Sequence, residues 1–270
     1  MICLTGDVHQ RSYRGVDTSY AKESEAQLAL RYCEIAADFG VKVTLFVTGK
    51  ACIEERDTIE RLAGLPHCEI GGHTFSAYRS FRHWLSRKLT GSHLGSKQLQ
   101  QRDIDRTMEA IQAVTGKPLL SWRNHAYKHD QHTYPMLAAR GIRIISDRVT
   151  GVEGSAERIG QDLLSLPINT LPDHERLLHG KYLVGRTTYN RLQGRTTVQD
   201  WRETVERQVD TIEAHGGTAT ILAHPLCMEV ADRMEQFTIL CRFLSRLRTG
   251  WVSEVGWTAL AGEPSRPRRD

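Results

Sequence analysis

Short apolar runs alternate with segments of helical periodicity along the whole chain. This alternation is typical of an α/β fold with a mostly parallel sheet, either open or closed into a barrel. Apolar runs rich in β-branched residues predict strands, whereas apolar residues three or four apart predict helices. The predicted strands are residues 1–8, 41–47, 67–73, 119–123, 142–146, 163–168, 218–222 and 251–255. The predicted helices are residues 20–39, 52–62, 97–115, 130–140, 198–212 and 231–247.

Two segments do not fit this pattern. Residues 75–96 carry aromatic side chains with little periodicity, so we expect a long loop of the kind that often forms a lid or a binding site. Residues 169–196 are poorly patterned, and no element is predicted there. Because no linker or shift in composition divides the chain, we predict a single domain over residues 1–270, with a loose tail at 262–270.

The composition is that of a soluble globular protein, with 40% hydrophobic and 25% charged residues. The net charge of +4 is small for this length. Basic residues gather at 79–88 and 266–269, where they are either solvated or suited to an anionic partner, and no nucleic-acid-binding face is evident. No apolar run approaches the roughly 20 residues of a membrane helix. Six cysteines without a C-x-x-C pair predict buried free thiols, and the absence of a signal-peptide pattern predicts a cytoplasmic location.

Several predicted strands end at a titratable side chain. Asp7 and His9 end the first strand, His73 ends the third, and His224 ends the run of apolar residues near position 220. The carboxyl ends of parallel strands meet at one edge of the sheet, and ligands bind at that edge. Asp7 and His9 are two residues apart in an extended segment, so both side chains can face one cleft.

This combination of side chains suits a metal-assisted hydrolase. Imidazole and carboxylate ligands bind catalytic zinc, which keeps one position open for a water molecule that a carboxylate can deprotonate. Arg123 and His125 leave the fourth strand together, and Asp147 ends the fifth. An arginine beside Asp7 would keep that carboxylate ionised, and Asp147 could orient or charge His224.

Each of these residues, taken singly, also has an ordinary structural explanation. Asp7 could cap a turn, a lone histidine could bond to the backbone, and Arg123 and Asp147 could form plain salt bridges. Independent surface placement would rarely give a titratable residue at each of five strand ends. The set as a whole therefore favours the hydrolase hypothesis.

The motifs and their order resemble those of the polysaccharide deacetylase family, the carbohydrate esterase 4 type, over residues 1–228. The resemblance is carried by Leu4-Thr5-Gly6-Asp7-Val8-His9, Glu69-Ile70-Gly71-Gly72-His73-Thr74, Thr115-Gly116-Lys117, Trp122-Arg123-Asn124-His125, Ser146-Asp147 and Ile221-Leu222-Ala223-His224. In the family, the first motif supplies the base and an acidic metal ligand, and the last supplies a general acid. The sequence departs from the pattern at Ala77, which stands where the second motif usually has another histidine. His125 is our candidate for the vacant ligand.

The resemblance implies a distorted (β/α) barrel, usually of seven strands, with a divalent metal, expected to be Zn²⁺. On this basis we expect His9 and His73, with His125 or a water molecule, to hold the metal, and we expect Asp7, His224, Arg123 and Asp147 to be the catalytic residues. In these roles Asp7 deprotonates a water, His224 protonates the departing amine, Arg123 positions Asp7, and Asp147 supports the charge of His224.

The implied substrate is an N-acylated sugar or glycan, from which the acyl group is removed. Three alternatives stay open. One is a deformylase or cyclic-amide hydrolase on the same barrel. Another is a carbohydrate-binding relative that has lost catalysis, as Ala77 would allow. The last is a structural α/β protein in which the strand-end histidines are coincidental.

Overall fold

A curled sheet forms the centre of the protein in a computed structural model that describes residues 1–15, 17–174, 176–177 and 196–255. Its strands are β1 (Ile2–Val8), β2 (Val43–Val47), β3 (Cys68–Gly72), β4 (Ser121–Trp122), β5 (Ile144–Ile145), β6 (Glu157–Ile159), β7 (Leu163–Ser165) and β8 (Ala219–Leu222). Their order across the sheet is β6-β7-β5-β4-β3-β2-β1-β8. Neighbouring strands are parallel except for β6 and β7. This half-barrel with surrounding helices confirms the predicted distorted (β/α) barrel, to which the antiparallel β6 adds an eighth strand.

Helices connect successive strands and cover the outer face of the sheet. They are α1 (Glu25–Asp38), α2 (Gly49–Glu54), α3 (Arg56–Gly64), α4 (Phe81–Thr90), α5 (Lys97–Thr115), α6 (Thr133–Ala138), α7 (Val198–Ala214), α8 (Pro225–Asp232) and α9 (Glu235–Leu244). Helix α1 begins at a capping box formed by Ser24 and Gln27. Helix α7 is capped by Thr197, whose hydroxyl accepts the backbone N–H of Asp200.

The two faces of β1 show how the sheet separates its core from its site. All seven residues of β1 are buried, as expected for a parallel strand covered on both faces. Ile2 and Leu4 belong to the large hydrophobic cluster that includes the helices, whereas Cys3 belongs to a smaller cluster with Phe46 and Ile144. Because side chains alternate along a strand, the face that carries Cys3 also carries Asp7. The inner face is thus apolar at one end and charged at the other.

Side chains bond to the outer edge of β8, where no strand of the described residues pairs with it. The Asn169 amide donates to the carbonyl of Thr218 (2.9 Å) and accepts the N–H of Thr220 (2.8 Å). The Thr170 hydroxyl donates to the carbonyl of Thr220 (3.1 Å). These bonds satisfy backbone groups that would otherwise lack partners in a buried position. The seam between β8 and the far side of the barrel is therefore made by Asn169 and Thr170 rather than by a strand ladder.

Three sequence-based element predictions are wrong. The predicted loop at 75–96 contains α4, which exposes Phe81 and Trp84 and so lacks the apolar stripe that a buried helix shows. The predicted helix at 231–247 is two helices, because Arg233 and Met234 adopt left-handed backbone conformations between α8 and α9. Residues 252–255 are helical rather than extended. The predicted loose tail at 262–270 lies outside the described residues.

The cysteine prediction is confirmed, because all six thiols are buried and free. Burial raises the pKa of Cys52 to about 12, so this thiol is protonated at neutral pH. None of the helices within the described ranges is both long enough and apolar enough to cross a bilayer.

Gly72→Ala tests the close approach of β3 to β4. A Cβ at position 72 would lie 2.3 Å from Cε3 of Trp122, so the buried indole would have to move. Overpacking of this kind costs about 1–3 kcal/mol, and we expect the free energy of unfolding in urea to fall by that amount. The control is Gly64→Ala in α3, where a Cβ has no neighbour within 4 Å. Unchanged stability of Gly72→Ala would contradict this packing.

Candidate metal centre and active site

Three histidine side chains from different strand ends converge at the open end of the barrel. Nε2 of His9 lies 3.1 Å from Nδ1 of His125, which lies 3.4 Å from Nε2 of His73. The ligand atoms of all three lie within 4.8 Å of one another. His9 follows β1, His73 follows β3, and His125 follows β4. The structure therefore brings together the three residues that the sequence nominated as metal ligands.

Hydrogen bonds behind the cluster fix which nitrogens face its centre. Nδ1 of His73 lies 2.8 Å from the carbonyl oxygen of Arg123, and Nδ1 of His9 lies 2.8 Å from Oε2 of Glu25. A carbonyl or carboxylate oxygen only accepts, so both Nδ1 atoms carry the proton and both Nε2 lone pairs face inward. Metal-binding histidines are oriented by partners of this kind.

Glu25 was not predicted as a site residue. It is the first residue of α1, where an acidic side chain is an ordinary helix feature, so the sequence gave no distinct signal. Its carboxylate also accepts the backbone N–H of His9 (2.9 Å). Burial would raise the pKa of Glu25, but the charge of His9 and its two hydrogen bonds lower it below the usual value. Glu25 is therefore an anion behind the histidine cluster.

The imidazoles of His73 and His125 are neutral at pH 7. Burial lowers the pKa of His73 to about 4, even though the nearby charge of Asp7 opposes this shift. Burial and the neighbouring His9 and His73 lower the pKa of His125 further. Neutral imidazole is the form that binds a metal. Three convergent imidazoles, of which His9 and His73 direct Nε2 lone pairs inward, therefore fit zinc or a similar divalent transition metal.

Asp7 lies between the histidine cluster and His224. Its Oδ1 accepts a hydrogen bond from Arg123 (2.9 Å), and its Oδ2 lies 3.7 Å from Nε2 of His73 and 3.5 Å from Nε2 of His224. Burial would raise the pKa of Asp7, but His73, Arg123 and His224 together hold it well below the usual value. Asp7 is therefore ionised, with one oxygen bound to arginine and the other facing the site.

Arg123 is completely buried and nearly all of its donors are used. Its Nε donates to the carbonyl of Ser146 (2.8 Å), and its second terminal nitrogen donates to the hydroxyls of Thr5 (3.0 Å) and Ser146 (2.9 Å). With the bond to Asp7, these contacts fix the guanidinium between β1 and β5. Arg123 thus holds Asp7 in one position, as the sequence predicted.

Asp173 is the partner of His224, and the sequence analysis did not find it because residues 169–196 had no recognisable pattern. The Asp173 carboxylate lies 2.7 Å from Nδ1 of His224 and also accepts the backbone N–H of His224 (2.5 Å). Burial would lower the pKa of His224, but the charge and hydrogen bond of Asp173, with those of Asp7, raise it to about 10. His224 is therefore an imidazolium at neutral pH.

The predicted role of Asp147 as the partner of His224 is wrong. Asp147 instead accepts the backbone N–H and the side-chain amide of Asn124, both at 2.6 Å. The strand order explains this, because β5 lies beside β4, whereas β8 lies on the far side of β1. Burial raises the pKa of Asp147 to about 6. Because Asn124 precedes His125, the two bonds from Asn124 to Asp147 hold the loop that carries this histidine.

The turn after His73 has an unusual backbone at the point where the family pattern is broken. Thr74, Ala77 and Tyr78 have positive φ angles of 63°, 53° and 56°. Non-glycine residues rarely adopt this conformation, and such strain is concentrated at functional sites. His125 is the histidine that joins His9 and His73 in place of a residue at position 77.

A cavity of about 840 Å³ opens onto these groups. Its lining includes Asp7, His9, His125, His224, Tyr13, Arg14, Arg79, Arg176 and Gln208. A volume of this size is typical of small-molecule sites. The catalytic candidates thus lie at the wall of a cleft large enough for a sugar derivative.

Comparisons with known proteins agree with this fold. Residues 17–145 match the family model described as polysaccharide deacetylase. No curated protein sequence gives a significant match. A "putative polysaccharide deacetylase" from Mycobacterium smegmatis has a TM-score of 0.72 at 17% identity, over 100% of this chain and 94% of that chain. These findings confirm the predicted resemblance to the polysaccharide deacetylase family.

Two further structures show how widely the fold is used. The PuuE allantoinase has a TM-score of 0.71 at 14% identity, over 98% of this chain and 92% of that chain. A CE4 family pseudoenzyme from Bacillus anthracis has a TM-score of 0.54 at 14% identity, over 94% of this chain and 64% of that chain. At such identities the likeness establishes the fold alone.

Asp173→Asn tests the electrostatic pairing of His224. The folded pKa of about 10 exceeds the ordinary 6.5, so protonation of His224 stabilises the fold fully below pH 6.5, and this stabilisation is lost as the pH rises towards 10. We expect Asp173→Asn to lower the pKa of His224 by at least about one unit, measured by NMR titration of its ring carbons. Asp147→Asn serves as the matched control and should leave that pKa unchanged. An equal effect of the two substitutions would refute the assignment.

Proposed function

We propose that the protein is a metal-dependent hydrolase that removes an N-acyl group, such as acetyl, from a carbohydrate or glycan precursor. The observation that carries the proposal is the position of Asp7. Its carboxylate lies between three convergent imidazoles and an imidazolium, at 3.7 Å from His73 and 3.5 Å from His224. The family match over residues 17–145 supports the same chemistry. The cytoplasmic location remains a prediction from the sequence.

The metal, which we expect to be Zn²⁺, would be held by His9, His73 and His125. When bound, it would acidify a water molecule and polarise the acyl carbonyl. The roles of these three residues as ligands rest on their convergent ring nitrogens, on the carbonyl behind His73 and on the carboxylate behind His9.

Asp7 would act as the general base. Its Oδ1 is bound to Arg123, so Oδ2 is the oxygen that would accept a proton from the attacking water. Arg123 fixes this geometry and keeps the carboxylate ionised. The carboxylate of Asp7 is therefore an ionised proton acceptor that Arg123, rather than solvent, holds in position.

His224 would act as the general acid. Its Nδ1–H is donated to Asp173, which leaves the Nε2–H pointing towards Asp7 and the cavity. This proton would go to the departing amine nitrogen. Two neighbouring groups with pKa values pushed in opposite directions mark an acid–base pair, and here Asp7 is lowered while His224 is raised.

A cyclic-amide hydrolase is the second candidate, favoured by the likeness of the fold to an allantoinase over nearly the whole chain. A deformylase would use the same groups. An assay of the zinc-loaded protein against N-acetylated sugars, N-formylated sugars and allantoin separates these possibilities. Release of acetate supports our proposal. Failure to turn over any of these, with retained sugar binding, would favour a non-catalytic relative.

Asp7→Asn removes the proposed base and keeps its shape. General acid–base catalysis contributes about 10²–10⁴-fold, so we expect the rate of acyl release to fall at least about 100-fold. Asp57→Asn, at an exposed position in α3, is the control and should leave the rate unchanged. Full activity in Asp7→Asn would sink the assignment.

Glu25→Gln tests the carboxylate behind His9. Loss of a hydrogen-bonded anion behind a metal-binding histidine typically weakens metal affinity by about 10–100-fold, and we expect a loss in that range. Competition with a chromogenic zinc chelator measures the affinity directly. Glu23→Gln, on the surface two residues earlier, is the control, and His73→Ala should abolish binding. Unaltered affinity in Glu25→Gln would argue against His9 as a ligand.

A further inference from the structure

Three arginines line the cavity that holds the proposed catalytic groups. These are Arg14, Arg79 and Arg176, and all three are solvent-exposed. Within the described ranges, no carboxylate lies at ion-pair distance from any of them. Other arginines of the chain are paired, such as Arg140 with Asp105 and Arg202 with Glu206. Among the described residues, the cavity therefore carries three positive charges without an ion-pair partner.

One of these charges, that of Arg79, lies one aromatic ring away from the histidine cluster. The guanidinium carbon of Arg79 lies 5.3 Å from the ring centroid of Tyr13, and that ring stacks on His9 at 4.4 Å. The charge of Arg79 also contributes to the low pKa of His125. Arg79 can thus reach a group attached to a substrate whose acyl carbon lies at the cluster.

The other two arginines, Arg14 and Arg176, line the same cavity. Arg14 follows Tyr13 and donates to the backbone carbonyls of Arg11 (2.7 Å) and Tyr13 (3.1 Å). Arg176 is anchored by its backbone N–H, which donates to the carbonyl of Asp173 (2.9 Å). Arg176 therefore belongs to the segment that also holds His224.

Among the described residues, no carboxylate of the cavity forms an ion pair with these three arginines. Asp7 is bound to Arg123, and Glu25 is bound to His9. Asp17 is the remaining acidic residue in the lining and is buried, with 6% of its surface exposed. Three cations facing solvent around one cleft attract an anion and raise its local concentration.

We propose that the substrate of this site carries a phosphate or diphosphate group, bound by Arg79 and Arg176 with Arg14, beside the acyl group that is removed. The identity of the reacting part rests on the proposed function. Guanidinium groups bind phosphate oxygens through paired hydrogen bonds, and three of them match a group with more than one negative charge. The substrate is thus a phosphorylated N-acyl sugar rather than a neutral polysaccharide.

Calorimetric binding to the full-length, metal-free protein tests the proposal without requiring catalysis. The probes are N-acetylglucosamine and N-acetylglucosamine 1-phosphate. The free energy of one charge-assisted hydrogen bond corresponds to a factor of at least about ten in affinity. We therefore expect the phosphorylated probe to bind at least about tenfold more tightly than the neutral one. Its affinity should fall as sodium chloride is added, since the contact is between exposed charges.

Arg79→Gln and Arg176→Gln should each reduce this preference, with little effect on the neutral probe. Arg61→Gln, an exposed arginine outside the cavity lining, should leave the preference unchanged. Equal affinity for the two probes in the wild-type protein would overturn the proposal. An equal loss for both probes in the Arg79 and Arg176 variants would also overturn it.

Two sources of the phosphate group are distinguished by two further arms. One measures binding of uridine diphosphate N-acetylglucosamine in solution. The other measures co-sedimentation with phosphatidylcholine vesicles that contain dodecyl phosphate, because exposed Phe81 and Trp84 follow Arg79 closely in α4. Binding in either arm that depends on Arg79 supports the proposal, and its absence in both overturns it. Phosphosugar preference without acyl release would refute the hydrolase while leaving the anion site intact.

Discussion

The open end of the barrel depends on one buried guanidinium. Arg123 bonds to Thr5 and Asp7 on β1 and to Ser146 beyond β5, and its backbone carbonyl orients His73. A buried charge costs several kcal/mol unless it is paired and hydrogen-bonded, and Asp7 is the counter-ion that pairs with Arg123. The same carboxylate is the proposed base. The requirements of stability and of chemistry therefore fall on a single side chain.

The proposed ligand set differs from the family pattern in its charge. The first motif of the family carries an acidic metal ligand, whereas the ligand proposed for this chain is the imidazole of His9. The missing negative charge reappears in Glu25, which lies behind His9 at 2.8 Å. Because the carboxylate of Glu25 lies directly behind His9, its negative charge still acts on the cluster. The atoms that would contact the metal are then imidazole nitrogens rather than carboxylate oxygens. The substitution thus changes the ligand atoms more than the local electrostatics.

The sequence predicted most of the strand ends because buried parallel strands are short apolar runs whose ends meet at one edge. It also predicted that His125 lies with His9 and His73, because Ala77 stands where the family has a histidine and the next strand end carries one. It could not predict Asp173, which lies in a segment without periodicity, or Glu25, which is typical of any helix start. Asp147 was given the wrong partner because strand order is a tertiary property. Helix α4 was missed because its large apolar side chains face solvent.

The two halves of the site, the histidine cluster and the pair of His224 with Asp173, are held in the fold by different kinds of bond. Asn169 and Thr170 close the barrel by side-chain bonds, and Asp173 follows them on the same segment. The histidine cluster, in contrast, is carried by strands within a continuous backbone ladder. Opening of the seam would withdraw Asp173 from His224 and leave the three imidazoles in place, because His224 itself follows a strand of the ladder. On warming, the proposed proton donor would lose its charge partner before the core unfolds, because side-chain bonds rather than a strand ladder join the segment of Asp173 to the sheet.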